Sequence, residues 1–311
     1  MLYLTEQDVL RLLDMPSAIA AVERSMLGCA AGEAESIPRR RARTRSGLFH
    51  LMGGALRDSG VHGLKAYTSL PTGTRFYCLL FQEDGAPRAL IEADHLGRIR
   101  TGAASAVASR ALAREDAAVM LLIGSGAQAR TQARAVACVR RLEEILVWSR
   151  TPDHRRRFAA LLRDEDGLPA RAVDDPAEAC RRSDIVTTIT TSRDPVVRTE
   201  WLPPGVHINA CGSNHLSRIE IDPRIFERAE CVCVDHREQA LAECGELAAA
   251  VRDGLVRPED LRELPEVLAG KAPGRVSPEG VTLFESQGLG VWDVAVAEEA
   301  VRRAEGAGTA A

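Results

Sequence analysis

A chain of 311 residues, 45% hydrophobic, is long enough for two ordinary domains, and its 44 acids against 40 bases exclude a generic nucleic-acid binder. No apolar run approaches the roughly 18–20 residues that span a bilayer. The start MLYLTEQDVLRLLDM carries acids where a signal peptide would be basic, so a soluble cytoplasmic protein with no membrane partner is expected. The eight cysteines sit mostly in apolar segments and lack CxxC spacing, so buried thiols and no metal site are expected. Cys231 and Cys233, alternating along ECVCVD, are expected to face opposite ways and not to share a metal.

In chain order, residues 4–31 show helical spacing interrupted at Pro16, with Thr5 and Asp14 placed as caps, which predicts a pair of helices. From residue 47 to 91 the texture changes to short apolar runs between turn residues, and an EDG turn joins two strands of RFYCLLFQEDGAPRALIE. This front section reads as α+β. Asp94 opens an alanine-rich helix that ends near residues 114–116. Beyond it, strands over 118–123, 145–148, 170–173 and 184–190 alternate with helices over 127–141, 153–163 and 176–182, and HINACG and ECVCVD supply two more strands. Near-continuous apolar strands alternating with helices predict an α/β, Rossmann-type doubly wound parallel sheet. The last residues, from Glu305 on, read as a frayed tail.

Within that alternation, Gly124-x-Gly126-x-x-Ala129 follows a buried strand directly and opens a helix. In this setting backbone N–H groups and the positive helix end hold a pyrophosphate, so a dinucleotide cradle is expected. The second strand then decides the cofactor. An acid at its end would accept the ribose hydroxyls of NAD, whereas a 2′-phosphate needs a cation. Here the strand ends in Ser149-Arg150-Thr151, which favours NADP(H) and leaves NAD(H) open.

The front section carries the basic run PRRRARTR over residues 38–45. If it lies on a strand, Arg40 points opposite to Arg39 and Arg41, so at most half of the run faces one site. Lys65 stands in the apolar stretch GLKAY and Arg100 before the small-residue stretch RTGAAS, where each cation must find an anion; a substrate carboxylate would serve. Past the strand HINA, the stretch CGSNHLSRIEID lies at the carboxyl end of a parallel strand, where open sheets bind ligands, and His215 there is a candidate acid or a plain loop residue.

These pieces together resemble the ornithine cyclodeaminase/mu-crystallin family over nearly the whole chain: IPRR, FHLMGG, GLKAYTS, IRTGAAS, IGSGAQA, VWSRTP, INACGSN and VTLFESQGLGVWDVA, in order. The resemblance implies a homodimer. Its substrate and dimerisation domain spans 1–113, completed by a C-terminal helix over 288–311, and its dinucleotide domain spans 114–287. It also implies that Arg40, Lys65 and Arg100 serve the substrate carboxylate and reaction centre, with Met52 on the pocket wall. Gly124, Gly126, Ala127 and Gln128 would line the pyrophosphate, and Ser149, Arg150 and Thr151 the adenosine end. VWSRTP is similar to the NADP(H)-using branch.

One departure bears on the reaction. Cyclodeaminases of this family carry an aspartate where this chain has Asn214, and asparagine has no proton to exchange near neutral pH. The expected activity is therefore reduction of an α-imino acid or cyclic ketimine, with Lys65, Asn214 and His215 around the imine. An ornithine or lysine cyclodeaminase and an NADPH-dependent small-ligand binding protein are the alternatives.

Overall fold

The structure is a computed structural model that describes residues 1–212 and 214–308. Ser213 of the CGSN stretch and residues 309–311 of the expected tail lie outside the described residues. The chain divides into two compact units: Met1–Ala104 together with the segment that begins at Gly288, and Ser105–Gln287.

The first unit opens with β1 (Leu2–Leu4), α1 (Glu6–Leu12) and α2 (Met15–Ala31). Thr5 caps α1 in a reciprocal box with Asp8, Asp14 caps α2 through the Ser17 amide, and Gly32 ends α2 in the left-handed conformation. The strands β2 (Ala34–Arg43), β3 (Leu48–Leu56), β4 (Val61–Leu70), β5 (Gly73–Gln82) and β6 (Pro87–Glu92) follow, then α3 (Asp94–Leu112), which runs from one unit into the other. They form a six-stranded sheet in the order β1-β6-β5-β4-β3-β2, antiparallel except for β1 against β6. The apolar β1 was not anticipated.

The second unit carries the alternation read from the sequence: β7 (Val119–Ile123), α4 (Ala127–Ala137), β8 (Glu144–Trp148), α5 (Pro152–Asp164), β9 (Ala170–Ala172), α6 (Pro176–Arg181), β10 (Ile185–Thr188) and β11 (His207–Ala210). There follow α7 (Ile225–Arg228), β12 (Ala229–Val234), α8 (Arg237–Glu243), α9 (Gly245–Arg252), β13 (Arg262–Glu263), α10 (Leu264–Leu268) and β14 (Val281–Glu285), before α11 (Gly290–Gly308) returns to the first unit. The eight strands are all parallel in the order β13-β12-β14-β11-β10-β7-β8-β9.

Alternate strand residues feed two cores. Leu121, Val186, Ile208 and Leu283 lie in one, and Met120, Leu122, Ile145 and Val147 in the other. Each such fully buried side chain contributes roughly 1.5–3 kcal/mol.

Three expectations need correction. The helix expected over 127–141 stops at Ala137. The C-terminal helix runs through Gly308, so residues 305–308, read from sequence as the start of a tail, are helical. Cys231 and Cys233 share a face, because positions two apart on a strand point the same way; Val232 and Val234 take the other side and join a core. Five of the eight cysteines are buried, Cys138 is exposed, and all are free thiols. Among the described residues, no helix is long and apolar enough to cross a membrane.

Candidate active site

In the first unit the face of the sheet under α11 is basic. Register pairs Met52 with Lys65 and Lys65 with Cys78, and one step along pairs Arg41 with His50, His50 with Tyr67 and Tyr67 with Phe76, all on that face. Glycine allows the helix to descend onto it: a Cβ on Gly290 at the start of α11 would lie 2.3 Å from the Gly53 carbonyl oxygen on β3. The descent brings Asp293, fully buried, against the sheet. Lys65 Nζ donates to Asp293 Oδ1 at 2.9 Å, and Arg100 Nε donates to the same oxygen at 3.0 Å.

Two buried cations thus share one carboxylate oxygen, and the cluster keeps a net positive charge. Among the described residues Lys65 uses one of its three N–H donors, and Arg100 hydrogen-bonds through Nε alone, its guanidinium 6.0 Å from the Trp292 ring. Burial pushes the Lys65 ammonium below the ordinary lysine range, Asp293 opposes the shift, and Arg100 adds to it. The Tyr67 and Phe76 rings stand 5.7 and 5.2 Å from Nζ. Beside them His50 stacks on Tyr67 at 4.2 Å and contacts Ser69 Oγ at 3.2 Å. Burial first, then Arg41 and Arg39, push its pKa down to about 4, so it stands neutral at pH 7.

Lys65, Arg100 and Met52 are therefore brought together, and Arg40 is not. Ile37 pairs with Gly53 and Arg40 with Leu51, so Pro38 and Arg39 stand opposite the single residue Met52 in a β-bulge. The bulge leaves Arg39 and Arg41 on the Lys65 face and turns Arg40 to the other, where it lines a cavity of about 490 Å³ with Ile37, Leu51 and Phe81. Asp293 and Arg41 were missed. Alternation along PRRRAR separates Arg41 from Arg40, but which of the two shares the Lys65 face is set by the bulge, for which the sequence held no signal. For Asp293 no short-range signal exists, since its partners are 193 and 228 residues away.

In the second unit Gly124, Gly126, Ala127 and Gln128 lie at the carboxyl end of β7. Gly124 has φ +126°, and a Cβ there would meet the Ile189 carbonyl oxygen at 2.6 Å. Gly126 caps α4 with no side-chain bond to its first amides, and a Cβ on Gly126 would meet nothing within 4 Å, so the helix end is open to an anion. Ser125 Oγ donates to Ser149 Oγ at 3.0 Å, tying this turn to the end of β8. Arg150 is exposed and has no hydrogen bond or ion pair among the described residues. Thr151 caps α5 without a side-chain bond. The open helix end fits the pyrophosphate of a dinucleotide.

Asn214 and His215 follow β11. His215 is exposed, its Nδ1 set 2.8 Å from Ser217 Oγ and accepting from the Ser217 amide, which fits the plain loop reading.

A parallel dinucleotide-type sheet joined in one chain to a unit with a buried, net-positive cluster of Lys65, Arg100 and Asp293 defines an oxidoreductase-like class. The comparisons with known proteins narrow this. The chain belongs to the ornithine cyclodeaminase/mu-crystallin family, whose profile matches residues 1–307. It is 36% identical over 304 residues to the alanine dehydrogenase of Archaeoglobus fulgidus, covering 96% of this chain and 93% of that one. Among solved structures it is similar to the Δ1-pyrroline-2-carboxylate reductase of Thermococcus litoralis in complex with NADH and L-proline, with TM-score 0.94, 33% identity, and 99% and 98% of the two chains covered. It is likewise similar to the iminosuccinate reductase of Paracoccus denitrificans in complex with NAD+, with TM-score 0.93, 32% identity and coverage of 99% and 97%.

Proposed function

We propose that this protein is a nicotinamide-dependent reductase of small α-imino acids or cyclic ketimines, giving α-amino acids. The single observation that carries the reading is the pair Lys65 and Arg100, buried and sharing one oxygen of Asp293. Their remaining donors and residual positive charge are matched by a substrate carboxylate. Arg41, on the same face, replaces Arg40 as the second arginine of the clamp. Met52 keeps its place in the pocket wall.

The dinucleotide, when bound, supplies hydride to the carbon of the C=N bond. The protein supplies position and a proton. Arg100 and Arg41 fix the carboxylate, which orients the imine carbon. Lys65 gives the proton to the imine nitrogen and is reprotonated from solvent; its lowered pKa makes it a better acid than an ordinary lysine. Asn214 is assigned to orienting the imine nitrogen, and His215 to the loop.

Gly124, Gly126, Ala127 and Gln128 hold the pyrophosphate in this reading. The unpartnered Arg150, with Ser149 and Thr151 and no acid at the end of β8, supports NADP(H) over NAD(H). The sheet face opposite Lys65 exposes Ile37, Phe49 and Leu51, and the reading assigns it to a second copy of the chain; the related archaeal alanine dehydrogenase is a dimer.

Lys65→Met tests the centre. It keeps the length of the chain and leaves Asp293 paired with Arg100, so the dinucleotide affinity is expected to hold while kcat falls by about 100-fold or more. Turnover within a few fold of the wild type would remove Lys65 from the mechanism.

A further inference from the structure

The second unit buries a group of acids that the imine chemistry does not use. Cys244 caps α9, its Sγ accepting from the Leu247 amide at 3.4 Å; Glu246 stands in the first turn of α9, and Glu285 ends β14. All three are at most 1% exposed, and the thiol and one carboxylate oxygen of each glutamate lie within 4.8 Å of one another. Each carboxylate is only half used. Glu285 Oε2 accepts from the Cys244 thiol at 3.4 Å and Glu246 Oε1 from the Glu220 amide at 3.3 Å, while Glu285 Oε1 and Glu246 Oε2 are buried with no hydrogen-bond partner.

The neighbourhood adds another buried acid. Glu220, fully buried, spends its oxygens on the Thr190 and Gly212 amides and the Thr188 hydroxyl. Among the described residues no lysine, arginine or histidine pairs with Glu220, Glu246 or Glu285. Unpaired buried carboxylates cost several kcal/mol each, and buried polar atoms are almost always satisfied. A proton shared between Glu246 and Glu285 would join two oxygens and leave the sulfur to its 3.4 Å bonds with Glu285 Oε2 and the Leu247 amide. A cation where the three ligand atoms converge would bind one oxygen of each glutamate and the sulfur at once.

We propose that Cys244, Glu246 and Glu285 form a binding site for one divalent cation of the zinc class. One thiolate with two carboxylates suits zinc or cobalt; magnesium and calcium take oxygen donors and do not use a thiol. On binding, the sulfur–metal bond replaces the S–H bond, and the thiol proton passes to solvent with any carboxyl proton. The ligands stand at the start of α9 and the end of β14, inside the sheet unit, so the expected role is structural. The pattern Cys-x-Glu with a second glutamate far downstream has none of the paired spacing that marks a zinc motif, which explains why sequence reasoning expected no metal.

The test uses the full chain, stripped with a chelator and titrated with Co²⁺ alone. The expected result is saturation at one equivalent, with the near-ultraviolet sulfur-to-cobalt charge-transfer band and the visible bands of a low-coordinate site, displaced by Zn²⁺. Cys244→Ser is expected to remove the charge-transfer band, and Glu285→Gln to weaken binding at least tenfold. The circular dichroism of metal-free Glu285→Gln is expected to match that of the wild type, so its loss of binding is not unfolding. Cys138→Ser, at the exposed thiol, should change neither band nor stoichiometry. Absence of the band, or a band that survives Cys244→Ser and vanishes in Cys138→Ser, overturns the proposal.

Discussion

Arg40 and Arg41 are adjacent, equally charged and both exposed; alternation puts them on opposite faces of the sheet, and the β-bulge at Pro38 and Arg39 decides which face each takes. That difference is directly measurable. Arg41→Ala is expected to raise KM for the imino acid by about 10- to 100-fold, the loss of one hydrogen bond between charged groups. Arg40→Ala is expected to leave KM within about twofold, as surface changes away from a site generally do. The reverse pattern would mean that the register of β2 does not set the clamp. Both side chains were visible in PRRRAR, and alternation already separated them. What the sequence lacked was the phase: which of the two faces Lys65 shares becomes clear only from the pairing of Met52 with Lys65 and of Arg41 with His50.

At the scale of elements, β10, β11 and β14 form the middle of the parallel sheet, and a polar chain runs through it. His207 on β11 is fully buried, with Nδ1 2.9 Å from Thr282 Oγ1 on β14 and Nε2 3.1 Å from Asn209 Oδ1. Asn209 in turn donates to Ser109 Oγ on α3 at 2.9 Å. Burial, the largest cause, pushes the His207 pKa from 6.5 to about 3, against the opposing hydrogen bond that the ring donates to Asn209 Oδ1. The folded state therefore holds the ring neutral while the unfolded chain takes up a proton below 6.5, so this stability is fully present above pH 6.5 and is lost as pH falls toward 3. The slope is on the order of 1.4 kcal/mol per pH unit. Urea unfolding between pH 7 and 4 is expected to show it, and His207→Gln to remove about one proton of uptake; an unchanged slope would mean that His207 does not titrate on unfolding.

The same elements show how much the sequence disclosed. The alternation from β7 to β11 was legible because buried parallel strands are short apolar runs with helices between them. β14 was not, although VTLFE is fully buried and lies between β11 and β12, because its place in the sheet is set by a strand order that chain order does not state. Two-residue β13 and three-residue β1 are too short to carry a period. The glycine turn between β7 and α4 was legible because the strand before it and the helix after it are its neighbours in sequence. Asp293 and the group around Glu285 were not, because their partners come from distant segments.

For the whole molecule, the exposed Ile37, Phe49 and Leu51 share the sheet face that carries no bond of the Lys65 cluster. If a second copy covers this face, Leu51→Glu, a change at a side chain 40% exposed in the single chain, should yield a folded monomer. Light scattering after size exclusion, beside circular dichroism, checks both halves of that statement. A wild-type monomer, or a dimer unaffected by the substitution, would place the contact elsewhere.

The central claim is imine reduction by a cation pair that holds a carboxylate and delivers a proton. It is tested most directly by following NADPH and NADH oxidation in parallel with the purified protein. The substrates are pyruvate, glyoxylate and oxaloacetate, each with ammonia or methylamine, and five- and six-membered cyclic ketimine carboxylates. Oxidation is expected with at least one of these, faster with NADPH than with NADH at equal concentration, and abolished in Lys65→Met. No oxidation with any of them, while L-ornithine or L-lysine releases ammonia with no net change in the cofactor, would contradict it.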